Sequence, residues 1–345
     1  MEVLKQTYPS YQLVLTFFSP SGYEVKKNTP SAAVVCYLPM DTERKVKEFL
    51  DTVQPVLAIF VKYEIWPNYL RALKARNIPT LLISALFNEN QVYFKWYGSF
   101  MRNALAKFTH IFVQNTASKE LLQKINLENV TLSGDTRFDR VAKIAERDNS
   151  LGFIERFKRD SFCIVVGSSW PEDEHIITAY INANKLPIKF VIAPHTINAK
   201  HIDGIAHSLK KPVVRYSQLK NSTLEDKEVL IIDTIGLLTK IYSYADLAYV
   251  GGGFATGLHN TLEPAVFGIP VIIGPNFEGF AEAERLVALG GILSIETASA
   301  FETVSNQFFT NKEFREKTGA INSDYIQKNK GATHEVMKKV SQLLS

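Results

Sequence analysis

Short runs of β-branched and apolar residues recur along this chain, each followed by an amphipathic stretch, and this rhythm constrains the fold more than any other feature. A parallel strand covered on both faces reads as a brief unbroken apolar run, and its crossover reads as a helix with one apolar stripe. Sandwiches and bundles lack that alternation, so the pattern predicts an α/β protein built from βα units around parallel sheets. Strands are expected at 12–18, 32–38, 56–61, 80–84, 110–114 and 129–132, and again at 162–167, 189–193, 213–215, 228–232, 247–250, 270–273 and 291–295. Helices fit between them, with Asp41 and Thr116 as N-caps, Pro67 in an early helical turn, and closing helices near 311–326 and 331–344.

A chain of 345 residues exceeds one ordinary domain, for which about 100–200 residues is usual. A polar stretch, Ala145–Gly152, separates the two series of strands. The expected organisation is therefore 1–145, a linker at 146–152, and 153–345. No apolar run is long enough to span a bilayer and no secretory signal precedes the first strand, so a cytoplasmic location is expected. Cys36 and Cys163 lie inside apolar runs and read as buried thiols. The net charge of +4 divides unevenly: residues 1–145 carry 18 Lys and Arg against 12 Asp and Glu, the remainder 21 against 23. A basic first half suits an anionic lipid partner, although solvated faces account for it equally well. The chain opens in a helix-like segment, Glu2–Tyr8, whereas a doubly wound domain starts with a strand. The first domain is thus expected to be incomplete at its N-terminus.

The strongest local signal is Val250-Gly251-Gly252-Gly253 followed by Phe254–Pro264 and Gly268-Ile269-Pro270. Glycines permit a tight turn and close backbone approach, and a helix start beyond them offers free amides to a phosphate. Asn260 and Glu263 have the spacing of a capping pair, yet a carboxylate beside a phosphate turn is also placed to accept two ribose hydroxyls. His259 is a weaker candidate. Asp233-Thr234-Ile235-Gly236, Ala193-Pro194-His195-Thr196 and Gly167–Pro171 end three further strands, and such loops converge on the ligand crevice of an open sheet. In the first half, Glu64 and Arg137 follow strands and suit the handling of developing charge, or simple ion pairing. The segment 87–108 carries Phe87, Tyr93, Phe94, Trp96, Tyr97, Phe100 and Met101 interleaved with Lys95, Arg102 and Lys107 and fits either a lipid interface or a core helix with a basic face. Glu172-Asp173-Glu174 reads as an acidic first helical turn.

Taken together, Glu64–Asn68, Gly134–Asp139, Pro194-His195, Asp233–Gly236 and Gly251–Pro264 with Gly268–Pro270 resemble, in order and across nearly the whole chain, the Kdo (3-deoxy-D-manno-octulosonic acid) transferases. That resemblance implies a GT-B fold, two Rossmann-like domains facing a central crevice, with an acceptor-binding first domain and a nucleotide-sugar-binding second one. It implies transfer of Kdo from CMP-Kdo to the lipid A precursor (lipid IVA) in lipopolysaccharide core biosynthesis, with inversion, without metal or other cofactor and without nucleic acid, in peripheral contact with the cytoplasmic face of the inner membrane. By the same resemblance, Pro194, His195, Ile235, Gly236, Asn260, Thr261, Leu262 and Glu263 bind CMP, while Glu64 and Arg137 stabilise the transition state.

Three departures stand out. His195 replaces a frequent Arg, Leu237 a frequent Glu, and Arg137 a common Lys, which keeps charge but alters geometry. The family's membrane anchor, first strand and Ser-x-Gly-Glu loop, whose glutamate is the general base, have no counterpart among these residues. Impaired catalysis is expected on that account. Another GT-B enzyme using a UDP-sugar, or an inactive nucleotide- or lipid-binding protein, are the alternative readings.

Overall fold

The computed structural model describes residues 1–345 other than Ser222 and Thr256, and the side chains of Lys220 and Asn221 also lie outside the described residues. Thr256 is one position of the glycine-rich block. The chain divides into two compact units, Met1–Thr136 with Gly331–Ser345, and Arg137–Lys330.

All strands of the first unit pair in parallel. β1 (Val14–Phe17) and β2 (Val34–Tyr37) form one sheet; β3 (Ala58–Val61), β4 (Thr80–Ala85), β5 (His110–Val113) and β6 (Val130–Leu132) form another in that order. β4 is the best covered, with Leu81 and Leu82 fully buried. On one face Val46 and Leu50 of helix Glu43–Val53 pack with Tyr69 and Leu73 of helix Pro67–Ala75. Elsewhere Leu81 and Phe112 meet Val336 and Val340 from the last helix, Ala332–Leu344. Four-residue spacing sets those two valines on one stripe, so the closing helix belongs with the first unit's sheet, whereas the sequence reading assigns it to the second domain.

Two expected caps shift. Thr42, not Asp41, precedes helix Glu43–Val53. Asp41 instead reaches across to helix Pro67–Ala75, accepting from the amides of Asn68 (3.1 Å) and Tyr69 (3.0 Å). That helix has Trp66 at its N-cap and no side-chain cap of its own, so a distant carboxylate satisfies its orphan donors. Asn115, one residue before Thr116, caps helix Thr116–Lys124 through Ser118 N.

The second unit holds β7 (Phe162–Ser169), β8 (Ile188–Pro194), β9 (Val213–Arg215), β10 (Val229–Ile231), β11 (Leu247–Val250), β12 (Val271–Ile273) and β13 (Ile292–Ser294) in one parallel sheet ordered β13-β12-β11-β7-β8-β10-β9. The chain winds outward from β7 through β8, then returns to start again at β11. The topological switch point, where such sheets bind ligands, therefore lies between β7 and β11. Their facing segments, 164–166 and 247–250, are essentially inaccessible.

Helix Thr136–Glu146 starts at the division between the units. Its Phe138, Val141 and Ile144 join Ile154 and Phe157 in the second unit's core. The compact division thus falls at 136/137, before the expected linker at 146–152.

Candidate active site

Four loops leave the C-terminal ends of β7, β8, β10 and β11, the places named from sequence. Those after β7 and β8 are tied by the His195 amide donating to Ser169 O, 2.9 Å. Three rings then pile up. Trp170 stacks on His195 with centroids 4.5 Å apart, His195 on His259 at 4.6 Å, and Trp170 Nε1 donates to His259 Nε2 at 2.9 Å. Burial first, and His195 beside it, hold the His259 pKa below its ordinary value. The Trp170 bond needs that nitrogen bare, which agrees with a neutral imidazole. Trp170 carries no motif of its own, and only its place after β7 marks it in the sequence.

The glycine-rich loop is fixed by a carboxylate that sequence reasoning reads only as part of an acidic first helical turn, where the structure does place it. Asp173 is fully buried, accepting from Trp170 N (2.9 Å), Gly252 N (2.9 Å) and the Tyr249 hydroxyl (2.6 Å). It thereby joins the loop after β11 to the loop after β7 across the switch point. Burial and the Asp173 charge push the Tyr249 phenol far above its usual pKa, keeping it a proton donor. Glu174 is also buried, accepting from Ser169 Oγ at 2.9 Å with His201 Nε2 at 3.1 Å. Burial raises its pKa, and Ser169 and His201 oppose that rise.

Glycine is required here first by the chain itself. A Cβ on Gly251 would stand 2.4 Å from Ser168 O, and one on Gly253 2.8 Å from Gly274. Gly252 and Gly257 adopt φ of +95° and +113°, which side-chain-bearing residues avoid.

Beyond that loop Asn260 acts as a local brace. Its Oδ1 accepts from Leu262 N (3.2 Å) while its Nδ2 donates to Glu263 Oε1 (3.1 Å). Thr261, not Asn260, is the N-cap of helix Leu262–Ala265, which has no side-chain cap, so the capping box weighed from the sequence is not formed; the Asn260 side chain instead aims the carboxylate. The Glu263 side chain is 18% exposed, with Arg140 at 3.7 Å. Thr261 Oγ1 is buried with no hydrogen-bond partner among the described residues. Such an orphan hydroxyl calls for a partner. Leu262 is fully buried, so its side chain belongs to the core.

Pro194 is buried as the last residue of β8, and His195 stands exposed after it. After β10, Asp233 accepts from Ser217 N at 2.9 Å and from its hydroxyl, fixing the turn. Gly236 has φ +96° and Ile235 is 88% exposed. The helices that follow these loops, Leu238–Ile241 and Leu262–Ala265, are single turns. The helix starts expected at these turns are therefore present as single turns, offering first-turn amides.

Glu64 and Arg137 fall in different units. Glu64 is exposed and accepts from Trp66 Nε1 at 2.6 Å. Arg137 forms a two-pronged pair with Glu282, at 2.7 and 3.2 Å, and Glu282 is nearly buried. The ion pair weighed as an alternative for Arg137 is present in the fold.

The sequence model of the 3-deoxy-D-manno-octulosonic-acid transferase (kdotransferase) family matches residues 1–140. A 3-deoxy-D-manno-octulosonic acid transferase of Haemophilus influenzae is 28% identical over 97% of this chain and 81% of its own length. One from Aquifex aeolicus is 30% identical over 80% of this chain and 72% of its own. In fold, the chain is similar to UDP-GlcNAc 2-epimerase from Neisseria meningitidis bound to UDP-GlcNAc, with a TM-score of 0.67 at 15% identity over 99% of this chain and 94% of that one. The Anabaena protein HepE, in complex with UDP, gives 0.59 at 9% identity over 98% and 94%. The paired parallel α/β architecture, the strand-end loops and these relatives agree: the chain belongs to the Kdo transferase family of GT-B glycosyltransferases.

Proposed function

We propose that this protein transfers Kdo from CMP-Kdo to a lipid A precursor, with inversion at the anomeric carbon, while in peripheral contact with the cytoplasmic face of the inner membrane. One observation carries the donor assignment: a carboxylate, Glu263, braced by Asn260 beside the glycine-rich turn at the switch point of the second unit. A braced carboxylate accepts hydrogen bonds from two vicinal ribose hydroxyls with little ordering cost. The Thr261 hydroxyl and the amides of Ile235 and Gly236 lie on the two loops where the CMP phosphate is received. His195, exposed and stacked against both Trp170 and His259, offers a flat face for the base or a donor for the phosphate. During transfer the acceptor hydroxyl loses its proton to a base, its oxygen bonds to the anomeric carbon, and CMP leaves with the electron pair. Arg137 and Glu64 are the groups proposed to meet the charge that develops.

Calorimetric titration with CMP and with UDP tests this reading. CMP is expected to bind in preference to UDP, and Glu263→Gln to weaken it about 10- to 100-fold, the cost of roughly 1.5–3 kcal/mol for a lost charged hydrogen bond. Preference for UDP, or unchanged affinity in Glu263→Gln, overturns it.

A further inference from the structure

Trp170 and His259 lie 89 positions apart in the chain, yet their rings share one plane. The planes differ by 8° with centroids 6.4 Å apart, and Trp170 Nε1 donates to His259 Nε2 at 2.9 Å. A hydrogen bond between coplanar rings joins them edge to edge into one flat surface. The His195 centroid is 4.5 Å from the first ring and 4.6 Å from the second, with tilts of 20° and 27°. A ring stacked at nearly equal distance on two coplanar neighbours lies over their seam, on one side of it. The inner face of His195 is therefore covered, and its outer face is open because the residue is exposed. Its ring makes no hydrogen bond among the described residues, so stacking alone sets its plane.

The backbone beneath the three rings is pinned at each of them. The Trp170 amide donates to Asp173 Oδ2 at 2.9 Å, the His195 amide to Ser169 O at 2.9 Å, and the His259 amide to Gly251 O at 3.1 Å. Gly252 N donates to the same Asp173 oxygen at 2.9 Å. The loops that carry the coplanar pair thus share one buried anchor, and the pair stands at the strand ends beside the switch point.

We infer that Trp170 is a positioning residue for the nucleobase of the donor: with His259 it holds the His195 ring flat, and the cytosine stacks on the outer face of that ring. This decides between the two roles open to His195. A histidine that donates to phosphate has its N–H fixed by a hydrogen bond at the other ring nitrogen, and His195 has none among the described residues. A stacking partner needs only its plane fixed, and the plane is what the Trp170–His259 pair fixes. The inference rests on the nucleotide reading of this site given above and adds to it a residue outside the glycine-rich and Pro-His motifs.

The test is calorimetric titration of the full chain with CMP, together with the proton spectrum of the bound nucleotide. The cytosine H5 and H6 signals should move upfield under the ring current of a stacked partner. His195→Phe keeps a flat face without a donor and should bind CMP within about threefold of wild type, with those shifts retained. His195→Asn keeps a donor without the face and should bind about 5- to 50-fold more weakly, with the shifts lost. Trp170→Leu should weaken binding about fivefold, and Trp170→Phe, which still stacks, should restore most of it. Thermal unfolding of each variant separates lost stacking from lost fold, and the His195 pair, at an exposed position, decides the matter if Trp170→Leu unfolds. The inference is overturned if His195→Asn binds CMP as tightly as His195→Phe, or if folded Trp170→Leu matches wild type in affinity and shifts. A wild type that binds no CMP overturns the donor assignment and this inference together, whereas wild-type binding with the order of the His195 variants reversed overturns this inference alone.

Discussion

Replacing Asp173 perturbs the candidate site of the second unit at the joint between its two principal loops. Asp173→Ala leaves two backbone amides, of Trp170 and Gly252, and the buried Tyr249 hydroxyl without their acceptor. A hydrogen bond to a charged group contributes about 1.5–3 kcal/mol, and an orphaned buried donor costs about 1–3 kcal/mol. Part of the loss is recovered if water enters the space, so the expected destabilisation is roughly 3–6 kcal/mol. That is a large share of the ~5–15 kcal/mol typical of a folded protein. Tyr249→Phe removes only one of the three bonds and should cost about 1–2 kcal/mol. In Asp173→Asn the amide oxygen can still face Trp170 and Gly252 while its NH2 group donates to the Tyr249 oxygen, so this variant should fold with an intermediate loss. It should also bind CMP more weakly, because Gly252 is then held by a neutral acceptor. Urea unfolding followed by far-UV circular dichroism measures the stabilities, and calorimetry the affinity. If Asp173→Ala cost less than about 1 kcal/mol, or matched Tyr249→Phe, Asp173 would not be the joint between these loops.

The Trp170–His259 bond gives a pH dependence with a definite sign. The folded pKa of His259 lies below the ordinary 6.5, so the unfolded chain binds the proton more readily, and stability present above pH 6.5 is lost as the pH falls through the folded value. Melting temperature against pH should fall more steeply on the acid side for wild type than for His259→Gln; parallel curves would refute it. At the Arg137–Glu282 pair, Glu282→Gln removes the nearly buried carboxylate charge beside a guanidinium that is 35% exposed. Discounted for that exposure, the expected cost is roughly 1–2 kcal/mol in urea unfolding, and no measurable change would make the pair incidental.

The strands were legible because buried parallel strands have the plainest signature a sequence carries, and each expected run contains or overlaps the observed one. β7 shows it best, where the unbroken run from Phe162 stands between turn signals and gives a strand reaching Ser169. Partners distant in sequence were not legible. Asp173 looks like a helix-dipole complement from its neighbours Glu172 and Glu174, and only the folded chain brings Tyr249 and Gly252, more than seventy residues on, to its oxygens. Asp41 misleads in the same way: it stands just before helix Glu43–Val53, yet its carboxylate accepts from the amides of Asn68 and Tyr69 in helix Pro67–Ala75. The last helix was legible as a helix, but amphipathicity says that a face is covered, not which sheet covers it.

The glycine-rich block shows how a candidate site can be located for a reason that turns out to be partly structural. Gly251 and Gly253 are glycines because their own neighbours, Ser168 O and Gly274, leave no room for a side chain, and Gly252 and Gly257 because of the sign of φ. Any tight crossing between β11 and the β7 loop would demand the same residues, ligand or none. The groups that packing does not explain are different ones: a hydroxyl at Thr261 buried without a partner among the described residues, and a carboxylate at Glu263 held in place by Asn260. Burying a polar atom without a hydrogen bond is unfavourable unless something arrives to meet it. The case for a nucleotide at this switch point therefore rests on Thr261, Glu263 and their brace, and the glycines contribute by bringing that turn close enough to be reached.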